Sequence, residues 1–149
     1  MANIGGTAST EIDAPLAEVW AVVEDVLTAP EWQAGLNSME ALERDGERRP
    51  TLVETQSDAK VKTVTSEIRF SYDGPTRLSW TQEKGDLKSL VGSWDLEDLG
   101  DGRTKATYTL DGDPGRMLGM LIRGPVEGAI RGMLVEGRPG ELKTRVEGG

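Results

Sequence analysis

Apolar and polar positions alternate along most of this chain, and the period of the alternation changes twice. Between Thr7 and Asp13, the residues Ala8, Thr10 and Ile12 oppose Thr7, Ser9 and Glu11, the two-residue period of a strand. Leu16, Val19, Trp20 and Val23 then recur at helical spacing. They follow Asp13 and Pro15, which offer a cap and a first-turn proline. This helix is predicted to end near Leu27, and a second short helical turn carries Pro30 and Trp32 until Gly35 stops it. From Leu36 to Asp111 the strand period returns, punctuated by Asp-Gly turns at Asp45, Asp73 and Asp101. Strands are expected near 37–44, 50–57, 61–72, 77–84, 88–97 and 103–111. One face of the later strands collects Phe70, Tyr72, Trp80, Trp94 and Tyr108 with Val64, Ile68, Leu78 and Leu90, while the opposite face is polar. After Pro114 the period becomes helical: Leu118, Leu121, Ile122, Val126, Ile130, Met133 and Leu134, then Leu142 and Val146. Pro125 is expected to begin or kink a helix, and the stretch 137–140, Gly-Arg-Pro-Gly, to interrupt it.

The predicted order is one strand, two short helices, about six strands and a long C-terminal helix, an α+β class. An antiparallel sheet with one apolar face needs a cover. The C-terminal helix is the only element long enough, so a curved sheet of six or seven strands should wrap around it and leave space between. At 149 residues the chain is expected to form a single domain, 1–149.

The stretch IDAPLAEVW (Ile12 to Trp20), the APEW that ends at Trp32, and the closing Leu142 to Glu147 carry a family likeness. With the element order, they resemble the START-like (SRPBCC) superfamily, and within it the polyketide cyclase/dehydrase and coenzyme Q-binding group. The resemblance covers essentially the whole chain. It implies a helix-grip fold and a cavity that holds an apolar ligand. It implies no particular reaction, because the chemistry of the group varies.

Composition narrows the chemistry. The chain has no cysteine and no histidine, which removes thiolate nucleophiles, disulfides, the usual neutral-pH base and most transition-metal sites. No cofactor is expected. The net charge of −9 argues against nucleic acid as a partner. The longest apolar runs are too short to span a membrane, and the first residues lack a basic start and an apolar core, so a cytoplasmic location is expected.

The candidate ligand-binding residues are Phe70, Tyr72, Trp80, Trp94 and Tyr108 from the sheet, with Met117, Met120 and Met133 from the helix side. Aromatic rings give a cavity shape and methionines adapt to its contents. The same residues would equally fill a solid core. Tyr72 and Tyr108 can each offer a hydroxyl to a ligand carbonyl or make a structural hydrogen bond. Ser66, Gln82 and Lys84 share the parity of the apolar face. On the helix, Gly124, Gly128 and Gly132 recur every four residues, and Arg116, Arg123, Arg131 and Arg138 every seven or eight. On one continuous helix these arginines share a face, which suits solvent better than an acidic ligand group. Trp20 is expected to anchor the first helix, and Trp32 to plug the bend near the cavity mouth. Three functions follow: binding or carrying a small apolar molecule such as a lipid, quinone or polyketide; polyketide cyclase or dehydratase catalysis; or a protein-interaction role. Without histidine or an inward acid–base pair, the first leads.

Overall fold

The computed structural model describes residues 4–58, 63–121 and 124–148, with only the backbone of 117, 118 and 121. Strand β1 (Ile4–Ile12) leads into α1 (Leu16–Glu24) and a 3-10 turn (Val26–Glu31). Six strands follow: β2 (Leu36–Arg44), β3 (Pro50–Asp58), β4 (Thr63–Asp73), β5 (Arg77–Gly85), β6 (Ser89–Gly100) and β7 (Arg103–Asp113). They form one seven-stranded sheet in the order β1-β7-β6-β5-β4-β3-β2. Every pairing is antiparallel. The meander is thus closed to β1 by a single long-range pairing, β1 with β7.

Side-chain parity explains the core. Leu78, Trp80, Trp94, Leu96, Ala106, Tyr108 and Leu110 are all buried, and the alternate residues face outwards. A one-residue slip would reverse this arrangement, so burial itself holds the register. Trp20 on α1 packs against Gly74 at the β4–β5 turn, where a Cβ would lie 2.6 Å from the indole ring. Only glycine permits that approach, and it fastens α1 over the end of the sheet.

Two local expectations at the start of the chain are corrected. Asp13 does not cap α1: its backbone N–H donates to Glu147 Oε2 at 2.8 Å, and Pro15 occupies the cap position with no side-chain cap. The first helix also ends at Glu24, because Asp25 leaves the helical region (φ −81°, ψ 68°) and a tighter 3-10 turn takes over.

The C-terminal helical stretch is long but bent and segmented. It runs as α2 (Gly115–Leu121), α3 (Pro125–Arg131), a wider π turn (Gly132–Glu136) and α4 (Arg138–Gly148). Pro125 has no N–H to continue a helix, and Gly124 before it takes a positive φ of 62°. The π turn is closed by the Gly137 N–H donating to the Gly132 carbonyl at 2.9 Å. Pro139 then falls in the first turn of α4, where a missing N–H costs nothing. Ile130, Val135 and Leu142 are almost completely buried, so α3, the π turn and α4 each pack inwards despite the breaks.

Candidate functional site

Between the sheet and the helical stretch lies a cavity of about 160 Å³. Its floor is an aromatic ladder drawn from adjacent strands. Phe70 lies 5.8 Å from Trp80, Trp80 5.6 Å from Tyr108, and Tyr108 4.6 Å from Trp94, centroid to centroid. All four rings line the cavity and are buried. Trp80 has room because its cross-strand partner is Gly92, where a Cβ would come within 2.5 Å of the indole. Ile130 and Leu134 supply the helical wall. The 3-10 turn closes one side with Val26, Ala29 and Trp32, whose ring is 6.3 Å from Trp94. Asp25 and Asp58 also line the cavity but are exposed, and they mark where it opens.

The predicted residues thus divide. Phe70, Trp80, Trp94 and Tyr108 meet around the cavity, and so does Trp32. Tyr72 is not among the lining residues: its hydroxyl donates to the Pro50 carbonyl at 2.5 Å, and the Arg49 guanidinium covers its ring at 4.6 Å. Parity puts Tyr72 on the inner face, but near the end of β4, beyond the cavity. Met120 is 60% exposed and lies outside the lining. Met133 is half-buried against Gly35 and also stands off the cavity; the neighbouring Leu134 takes the place expected for it. The Met117 side chain lies outside the described residues. Ser66 is buried in the lining and donates to Gln82 Oε1 at 2.8 Å, whereas Lys84 reaches solvent.

One lining residue was missed by periodicity. Arg138 is buried, with 4% exposure, although its spacing from Arg116 and Arg131 suggested a solvent face. Its Nη1 donates to the Ala34 carbonyl at 2.7 Å and to Glu141 Oε1 at 3.0 Å. Glu141 Oε2 in turn accepts from the Ala34 N–H at 2.8 Å. This clamp ties α4 to the end of the 3-10 turn and fixes the guanidinium. Arg131 of the same series donates to the Gly5 carbonyl and to Glu127, Arg116 is exposed, and Arg123 lies outside the described residues.

Among the described residues, two buried side-chain donors have no hydrogen-bond partner within the protein: Trp32 Nε1 and Arg138 Nε. Both residues line the cavity. An unpaired buried donor costs about 1–3 kcal/mol, and more when charged. Burial raises the pKa of the Tyr108 hydroxyl, and the Arg138 guanidinium beside it offsets part of that rise. Tyr108 is therefore a neutral donor across the ordinary pH range. The cavity is a mainly apolar chamber with hydroxyls at Thr55, Ser57, Ser66 and Tyr108 and one fixed guanidinium. Among the described residues, no group of three or more acidic side chains stands together as a metal site.

The family described as "Polyketide cyclase / dehydrase and lipid transport" matches residues 4–147. The chain belongs to that family. Its fold is shared by a START superfamily protein of Mycobacterium smegmatis (TM-score 0.82, 18% identity, 99% of each chain). A Thermus thermophilus protein aligns with TM-score 0.81 and 22% identity over 97% of each chain. A Streptomyces aromatase/cyclase aligns with TM-score 0.67 and 21% identity over 99% of this chain and 84% of the other. An uncharacterized Pseudomonas aeruginosa protein is 29% identical over 121 residues, 71% of this chain and 59% of its own length. The chain thus spans about three-fifths of that relative. These likenesses establish the helix-grip START fold. No described helix is long and apolar enough to cross a membrane.

Proposed function

We propose that this protein binds or carries a small apolar molecule in the cavity between its sheet and its C-terminal helical stretch. The observation that carries the reading is the aromatic ladder. Phe70, Trp80, Tyr108 and Trp94 surround empty space instead of closing upon it. An apolar space of about this size is known to stay dry and to accept a molecule of benzene size. Longer ligands of the lipid, quinone or polyketide kind would extend past Asp25 and Asp58. Family membership supports the reading, since the family's description includes lipid transport. Carriage without catalysis is favoured because the two lining carboxylates are exposed and the chain has no histidine to pair with them. A single domain in a reducing, cytoplasmic setting goes with this reading and with the absence of cysteine.

The test is native mass spectrometry of the protein purified from its own host, with a thermal-shift titration by ethylbenzene alongside. The expected result is a non-covalent apolar adduct lost on denaturation, and a melting temperature that rises with ethylbenzene. A bare chain whose melting temperature ignores ethylbenzene overturns the proposal.

A further inference from the structure

We infer that the cavity selects an apolar molecule with a cationic end, an aryl or alkyl ammonium whose charged group stays at the opening lined by Asp25 and Asp58. This rests on the cavity being a ligand site, but goes beyond it to the chemistry of the ligand. The lining has two characters. Strands β5 to β7 and the helical stretch present mainly rings and aliphatic groups. Most of the polar side chains lie on the other flank: Asp25 and Gln33, on either side of the 3-10 turn, and Thr55, Ser57 and Asp58 towards the end of β3. Backbone pairing joins these segments. Leu36 pairs with Ser57, and the Asp58 N–H donates to the Gly35 carbonyl at 2.7 Å. The chain leaving the 3-10 turn therefore meets the end of β3 at the cavity. Asp25 precedes the turn but gives it no side-chain cap, so local structure does not account for an aspartate there.

Charge and hydrogen-bonding capacity decide the kind of polar end. An ammonium has three N–H donors and no acceptor, whereas this flank offers carboxylate, amide and hydroxyl oxygens, all of which accept. Arg138 is the one cation among the described lining residues. It is buried, and Glu141 at 3.0 Å already answers its charge. A ligand carboxylate would meet repulsion from both aspartates and find no unanswered cation within. A neutral end would feel neither attraction nor repulsion. An ammonium at the opening keeps part of its hydration because both aspartates are exposed, while its apolar body enters among the rings.

The experiment compares three one-ring probes on a two-carbon tether: 2-phenylethylammonium, 2-phenylethanol and 3-phenylpropionate. Dissociation constants are read by calorimetry at neutral pH, with ethylbenzene as the apolar reference. The ammonium is expected to bind tightest and the carboxylate weakest, with about a tenfold ratio between them. Each exposed aspartate contributes only part of that ratio, since solvent and salt screen it. Asp25→Asn should cut the ratio to about threefold to fivefold and leave 2-phenylethanol within about twofold. Asp101→Asn removes the same charge at the β6–β7 turn, the opposite end of that hairpin from the lining residues Leu90 and Gly112. It should leave the ratio unchanged. Equal binding of ammonium and carboxylate, or tighter binding of the carboxylate, overturns this inference and leaves the cavity reading standing. So does binding of ethylbenzene alone. A ratio that falls as far in Asp101→Asn as in Asp25→Asn assigns the preference to the overall charge of −9 and overturns the local site. Failure of every probe, ethylbenzene included, overturns both readings.

Discussion

The two walls of the cavity are built in different ways. The sheet wall is regular: each ring is placed by strand parity, and the pairs Trp80–Gly92 and Trp94–Tyr108 lie directly across from one another. The helical wall is broken at Gly124 and widened at residues 132–136. Each extra residue in a turn rotates everything after it by about 100°. An arginine series that would share one face of a straight helix is therefore dispersed. Arg116 stays outside, Arg131 reaches β1, and Arg138 turns into the core. The regular wall supplies shape, and the irregular wall, with the 3-10 turn it is clamped to, supplies the fixed polar contact.

The largest expected effect comes from breaking the irregular wall. Arg138→Met leaves Glu141 Oε1 and the Ala34 carbonyl without the Arg138 donor and should cost about 3 kcal/mol in urea unfolding, at the low end for a buried pair because Glu141 is partly exposed and keeps the Ala34 N–H. A loss below about 1 kcal/mol would mean that the clamp contributes little to holding α4. On the regular wall, Gly92→Ala forces a methyl group against the Trp80 indole and should cost about 1–3 kcal/mol. The displaced ring lines the cavity, so this variant should also weaken ethylbenzene binding. Unchanged stability and binding would show that Trp80 is not held as described.

Parity made the sheet wall legible in the sequence. Seven strands, their inward faces and the burial of Trp80 and Trp94 all follow from a period that does not drift. The helical wall was less legible, because phase is lost at each break and no composition signal marks a π turn. Met120 and Met133 were misplaced for that reason, as was Arg138. Tyr72 was misplaced for a different one: parity gives the face of a strand but not how far along it the cavity extends. The Arg-Pro-Gly that follows Gly137 marked an irregularity and would have been the place to doubt a solvent-facing arginine.

The tyrosines sharpen the comparison through pH. The chain has two, Tyr72 near the end of β4 and Tyr108 in the cavity, and burial raises the pKa of both. Each is neutral in the folded state at a pH where the unfolded chain would ionise it. Their contribution to stability is therefore complete below the ordinary tyrosine value of ~10 and is lost as pH rises from there through their raised folded-state values. Absorbance at the tyrosinate band should stay flat past the ordinary value until the protein unfolds. A separate ionisation step before unfolding would place one ring in solvent. The smallest effect is expected from Tyr72→Phe. It removes the hydroxyl that donates to Pro50 and should cost about 1 kcal/mol or less, with ethylbenzene binding unchanged. A clear loss of binding would return Tyr72 to the cavity.

The four tryptophans offer the most direct test of the ligand cavity. Trp32, Trp80 and Trp94 line it, whereas Trp20 packs outside it on Gly74. In a ¹H–¹⁵N spectrum of the indole N–H groups, titration with ethylbenzene should shift the signals of Trp32, Trp80 and Trp94 along one saturating curve and leave Trp20 in place. Four unmoved signals, or a Trp20 shift as large as the others, would contradict a ligand site between the sheet and the helical stretch.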